Sequence, residues 1–337
     1  MPKTKKISII INTLLFSLIL LKCNEVFSVD NNNFKSASQE FIFKPWFTGP
    51  LMTPTPVNMV PGHPVIEPSF QVVSTYGVYN SNWNLEGFTN MWTLKPLIDF
   101  QMGFTERTGL EIVAAVTTSF KKGASATRPI DTLLRFGFQV SNDKKGTWIP
   151  DFRIVIQETV PTGSYQKLNP KKFGTDLTGM GSFQTGAYFN YQKLFYLSNG
   201  HRFSIRSSLA YLFPASVHVK GFNAYGGGYG ARAKVKPGHV FQAYISGEYS
   251  LSEHWAILNE WIYFQNGKNH ISGKPGTLPD GSPSLFRTSS SNQLSTAIEV
   301  EHTFNNRFGM LIGSWFTVTG RNSLAFWSNF IAFLYVF

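Results

Sequence analysis

The sequence predicts an all-β protein, a transmembrane antiparallel up-and-down β-barrel of about twelve strands (roughly ten to fourteen) that ends on a phenylalanine. Three observations carry that prediction. The chain closes on NFIAFLYVF, Asn329 to Phe337, where Ile331, Phe333, Tyr335 and Phe337 share one parity, so a strand sets four large apolar side chains on one face. Charged residues are only 15 % of the 337, aromatics reach the same 15 %, and there are 29 glycines, a composition suited to strands that face lipid. Alternating runs also recur along the chain, and the connections between them differ in length in a regular order.

The terminal strand, with Phe333, Tyr335 and Phe337, resembles the assembly signal that barrel assembly machinery reads in bacterial outer-membrane barrels. By itself it would also suit the last core strand of a soluble sandwich. A mean hydropathy of −0.09 excludes a bundle of transmembrane helices but not a barrel, whose strands alternate and average out.

In order, residues 1–28 combine a basic opening (Lys3, Lys5, Lys6), an apolar run from Ile7 to Leu21 and a polar close ending Val26-Phe27-Ser28. That is the pattern of a secretory signal peptide, with a retained anchor as the alternative. The single cysteine, Cys23, falls inside it, and Lys22 stands where a lipoprotein signal has a small residue. The exported chain is then free of cysteine, which removes disulfides, thiol catalysis and cysteine metal sites. Losing four lysines and one glutamate lowers the formal charge from +11 to +8.

Residues 29–68 are first polar and then proline-rich, KPWFTGPLMTPTPVNMVPGHPVIEP. Proline removes ladder donors, so this stretch is excluded from a central strand. It is expected to be a periplasmic lead-in or, through Trp46, Phe47, Leu51 and Met52, a partial plug at the barrel mouth. The barrel occupies 69–337, with strands expected near 69–79, 90–102, 108–119, 130–140, 148–160, 178–193, 201–213, 238–249, 255–266, 292–303, 308–319 and 324–337. Except for the last, the connections alternate between longer and shorter, as external loops and periplasmic turns do. Phe203, Ile205, Leu209 and Tyr211 oppose Ser204, Arg206 and Ser208. Leu134, Phe136 and Phe138 likewise oppose Arg135 and Gln139. The parity of 255–266 and 308–319 is ambiguous.

The polar parity of each strand collects Lys95, Asp99, Glu111, Arg135, Arg153, Arg206, Glu248, Glu299 and Glu301 as lumen or selectivity candidates, joined by Gln71, Gln139, Gln157, Gln184 and Asn190. With both signs present they can pair across the lumen as a filling, or line a narrow path for small solutes. The external connections hold fourteen Lys and Arg against three Asp and Glu. Lys171, Lys172, Lys220, Arg232, Lys234 and Lys236 are thus candidates for contact with lipopolysaccharide phosphates or anionic solutes. Export argues against nucleic acid. No G-x-S-x-G and no H-x-x-x-H occurs, so no catalytic residue, cofactor or metal is assigned to the scattered His201, His218, His239, His254, His270 and His302. The run Tyr225 to Gly230 lacks a following Lys-Ser/Thr and is expected to be a flexible glycine loop.

IVIQETVPTG at Ile154–Gly163, GTDLTGMGSFQTGAYFNYQKLF at Gly174–Phe195, the lead-in KPWFTGPL and TGRNS at Thr319–Ser323 resemble outer-membrane proteins grouped with the meta-pathway of phenol degradation (MetA-pathway), a family labelled as transporters. The resemblance spans roughly residues 40–337. It implies a Gram-negative outer-membrane, porin-like channel for passive transport of small solutes, hydrophobic or aromatic compounds among them, and no catalytic residues. Two further classes stand beside it: a closed surface barrel that binds lipopolysaccharide or a host component, and an outer-membrane lipid hydrolase.

Overall fold

The computed structural model describes residues 47–337 apart from residue 199; the leader, Cys23 and Trp46 lie outside the described residues. The strands in chain order are β1 (Val65–Tyr79), β2 (Leu85–Gly103), β3 (Thr108–Lys121), β4 (Ala124–Pro129), β5 (Thr132–Ser141), β6 (Asp151–Val160), β7 (Gln184–Tyr196) and β8 (Arg202–Pro214). Then come β9 (Val217–Lys220), β10 (Arg232–Lys236), β11 (Val240–Ser250), β12 (Trp255–Asn266), β13 (His270–Lys274), β14 (Ser291–Asn305), β15 (Phe308–Arg321) and β16 (Ser323–Val336).

β9, β10 and β13 form a separate three-stranded sheet. The remaining strands pair antiparallel with their neighbours, and β1 meets β16 from Val65↔Val336 to Tyr79↔Ser323, so the wall closes on itself. Along β3, Val116 to Lys121 pair with β4 and Thr108 to Val113 with β5. β4 and β5 therefore count as one interrupted strand, and the barrel has twelve.

The wall is inverted relative to a soluble protein. In β8, Ser204, Arg206 and Ser208 are buried inside, while Leu209, Tyr211 and Phe213 stand exposed outside. Phe136, Phe138, Ile156, Phe189, Ile245, Val300, Ile312 and Leu324 continue that outer band around the barrel. An apolar exterior over a polar interior is what hydrocarbon demands of a closed sheet.

All twelve expected strands are present, with four differences. β1 begins at Val65, inside the stretch excluded for its prolines; its pairing with β16 lapses at Glu67 and Pro68, so the missing N–H costs no ladder bond there. β7 starts at Gln184 and not near 178, because Thr178 and Gly179 donate back to the Ser164 carbonyl and fold the preceding segment onto the loop. The long connections before β11 and β14 carry the external strands β9, β10 and β13. The glycine run is not flexible: Gly226 bridges Phe286, Gly228 donates to the Pro275 carbonyl, and a Cβ at Gly228 would collide with the Thr277 carbonyl.

β16 supplies both the closing seam and one of the two ladders of β15, from Phe308 to Phe316. Truncation before Ser323 is expected to abolish the heat-modifiable migration of the refolded barrel on a semi-denaturing gel, because it leaves two unpaired edges in lipid.

Candidate lumen site and external face

Two charged groups occupy the lumen. On the β2 to β6 side, Glu111 pairs with Arg135 and lies 3.9 Å from Arg153. Arg135 also donates to Gln157 at 2.7 Å and sits over the Tyr188 ring, and Gln101 donates to Asp99 at 3.2 Å. Lys95 is half-buried on β2, opposite Gln71, and forms no ion pair among the described residues. On the opposite side, Arg206 lies 3.4 Å from Glu248 and donates to Gln192. Glu299 and Glu301 of β14 and Glu260 of β12 complete this side, all buried. The nine sequence candidates thus point inward, but as two groups on opposite walls and not as one ring. Glu260 and Glu67 were missed.

Glu260 was hidden because the inner face of β12 is otherwise apolar. Ala256 and Leu258 pack with Leu311, Phe330 and Ala332 against Phe47, Leu51 and Met52. An acid flanked by apolar residues at the same parity was the available signal.

Residues 47–61 form a strap that runs through the lumen near the end with short turns. Thr48 N–H donates to Glu301, Leu51 N–H to Glu299 at 3.4 Å, and Met52 N–H and Thr53 N–H to Glu260 at 3.0 and 2.6 Å. The chain then crosses to the far wall. The Thr55 carbonyl accepts from Arg153 at 3.3 Å and Asn190 at 2.9 Å, and Gln139 donates to the Pro56 carbonyl and accepts from Asn58 N–H, both at 3.0 Å. Pro61 bridges Gly103 of β2, where the strap passes so close that a Cβ would strike the Met59 carbonyl. Three acidic side chains that form no ion pair among the described residues each accept from main-chain donors, which offsets part of the cost of burying them, while Glu299 Oε1 and Glu301 Oε2 stay without a partner among those residues.

Above the strap, at the end with long connections, the barrel opens into a cavity of about 1280 Å³. Its lining mixes Phe88, Leu177, Phe264 and Phe286 with Gln184, Gln242, Asn292 and Gln293. Tyr225 overhangs it and donates to the Met180 carbonyl at 3.0 Å. Burial, aided by the Asp131 carboxylate, raises the Tyr225 phenol pKa and keeps it a neutral donor.

The basic candidates divide. Lys220, Arg232, Lys234 and Lys236 share the exposed face of the external sheet, joined by Lys274. Lys171 and Lys172 lie apart in a 3-10 turn, Lys172 donating to the Ser125 carbonyl at 2.6 Å. The histidines are dispersed among both ends. Among the described residues no group of three or more His, Cys, Asp or Glu could hold a metal ion.

No family model and no curated protein matches the sequence. Among solved structures, the fold is similar to an outer membrane channel from Pseudomonas putida F1, with a TM-score of 0.63 at 12 % identity over 83 % of this chain and 97 % of that one. More distant similarity extends to the NanC porin (TM-score 0.39, 8 % identity, 79 % and 98 % covered) and to a mutant of the TodX monoaromatic hydrocarbon channel (0.38, 8 %, 83 % and 91 %). The first of these likenesses is one of fold.

Replacing Glu111 with Ala strands two buried guanidinium groups and is expected to lower unfolding stability by about 3 kcal/mol. Urea titration of the reconstituted barrel measures it. Adding Arg135→Ala to Glu111→Ala should cost less than the two single changes together.

Proposed function

We propose that this chain is an outer-membrane channel for small solutes whose lumen is closed at rest by the strap. The observation that carries this reading is the strap's path: it crosses from β12 and β14 to β5, β6 and β7 directly below an open, mixed-polarity cavity. The polar inner face and apolar outer face favour an outer-membrane setting, reached through the signal peptide, with lipid and lipopolysaccharide around the wall. The name of the Pseudomonas structure, an outer membrane channel, agrees with it. Barrel assembly machinery would take the strand ending in Phe333, Tyr335 and Phe337.

The proposed solutes are small amphipathic molecules, aromatic ones included. Rings such as Phe264 and Phe286 offer stacking surface in the cavity, and Gln242 and Asn292 offer polar partners for a hydroxyl. The meta-pathway resemblance points to the same class. No part of this reading requires catalysis.

When the strap leaves, Glu260, Glu299 and Glu301 lose their donors and face the lumen beside Glu248. Their charge would favour cations, while Arg135 and Arg153 set the opposing wall. In planar bilayers the intact barrel is expected to show rare, small openings, and a chain lacking residues 47–60 sustained, cation-selective steps. Substituting Gln for Glu260, Glu299 and Glu301 in the shortened chain should reduce that selectivity. Silence from both chains, with heat-modifiable migration intact, would refute the channel.

A further inference from the structure

The external sheet carries a charge arrangement that the fold does not neutralise. β10 pairs on one side with β9 and on the other with β13, and directly opposed residues point the same way. Arg232 stands opposite both Lys220 and Lys274, and the exposed alternate positions of β10 add Lys234 and Lys236. Opposed side chains in such rows begin about 5 Å apart, and like charges there repel. None of these five cations forms an ion pair among the described residues, and β9, β10 and β13 contain no acidic residue.

The two faces of this sheet point to different places. Val217, Val219, Ala233 and Val235 pack on Tyr225 and Phe286, which line the barrel cavity, so the apolar face looks toward the barrel axis. The basic face therefore looks outward, on the same side as the lipid-facing residues. β9 follows β8, β10 leads into β11, and β13 follows β12, so the small sheet prolongs three adjacent wall strands beyond the membrane. Just below it, the outer face of those strands carries an aromatic group: Tyr211, Phe213 and His239 in mutual ring contact, and Phe241 against Tyr263. Aromatic girdles of this kind mark the level of the bilayer interface.

We infer that the basic face of β9, β10 and β13 binds the phosphate groups of the phosphorylated glycolipid in the surrounding outer leaflet. Five uncompensated cations stand above an interfacial aromatic belt and face sideways over the lipid. A phosphorylated headgroup at that height meets Arg and Lys at a distance suited to charge-assisted hydrogen bonds, and relieves the repulsion within the rows. The assignment does not depend on the channel reading, since it concerns the outside of the wall.

The test compares the refolded full chain with a Lys220→Gln/Arg232→Gln/Lys234→Gln variant. A control variant carries Arg107→Gln/Lys144→Gln/Arg307→Gln at the opposite end of the barrel, and another keeps charge through Lys220→Arg/Arg232→Lys/Lys234→Arg. Binding is measured to lipopolysaccharide, to the same lipid after enzymatic removal of its phosphates, and to soluble polyphosphate, with heat-modifiable migration verifying each fold. The neutralised variant should bind lipopolysaccharide about tenfold or more weakly, while the control and charge-preserving variants match the parent. Dephosphorylated lipid should bind the parent as weakly as intact lipid binds the neutralised variant. Lipopolysaccharide affinity unchanged by neutralisation, or insensitive to phosphate removal, would overturn the assignment. So would loss of polyphosphate binding alone, which would mark the face as a trap for free anions.

Discussion

A strand in hydrocarbon has no water to satisfy its N–H and C=O groups, and that single fact organises this molecule. Each wall strand must find a partner on both sides, so the sheet can end only by meeting its own beginning, as β16 meets β1. Closure with an even strand count brings the start of β1 and the end of β16 to the same rim. It also fixes the division of side chains, apolar toward lipid and polar inward, because pleating sends alternate residues to opposite faces. Regular pairing lapses at Pro68 and Pro96, which lack an N–H, and shifts register at Tyr76, Val140, Phe304 and Val318.

A polar interior sets a second problem, since charged groups removed from bulk water need partners. The two sides of the lumen solve it differently. Glu111 finds Arg135 and Arg153 on neighbouring strands, so the carboxylate on that side is paired within the wall, and the strap adds the Thr55 carbonyl as an acceptor for Arg153 and Asn190. Glu260, Glu299 and Glu301 find no cation among the described residues and take main-chain donors from residues 48–53. One carboxylate is held by cations of the wall itself, and the other three take their donors from the strap.

The barrel was legible in the sequence because its information is periodic. A two-residue alternation such as Ser204, Arg206, Ser208 against Leu209, Tyr211, Phe213 reports strand, face and environment together. The parity of β15 was not legible, since a bulge at Val318 shifts the faces beyond it. Nor was that of β12, whose inner face turns apolar to receive Phe47, Leu51 and Met52 from more than two hundred residues away. The basic residues of the external connections were plain. Their assembly into rows was not, because β9, β10 and β13 are four or five residues long and drawn from two separate loops. Which carboxylate meets which amide is a long-range fact that no local pattern encodes.

The strap's composition acquires a different meaning beside its hydrogen bonds. Pro50, Pro54 and Pro56 fall between the positions whose amides are used, Thr48, Leu51, Met52, Thr53 and Asn58. Proline stiffens a segment while deleting its donors. Here Pro50 and Pro54 bracket the run Leu51 to Thr53, whose three amides all reach carboxylates of the wall, so the segment reaches the lumen as a stiffened rod with those contacts already spaced. Recognition then rests on the main chain and the spacing of prolines as well as on the packing of Phe47, Leu51 and Met52. Moving Pro50 onto position 51, or Pro54 onto position 53, would delete a donor that now reaches Glu299 or Glu260.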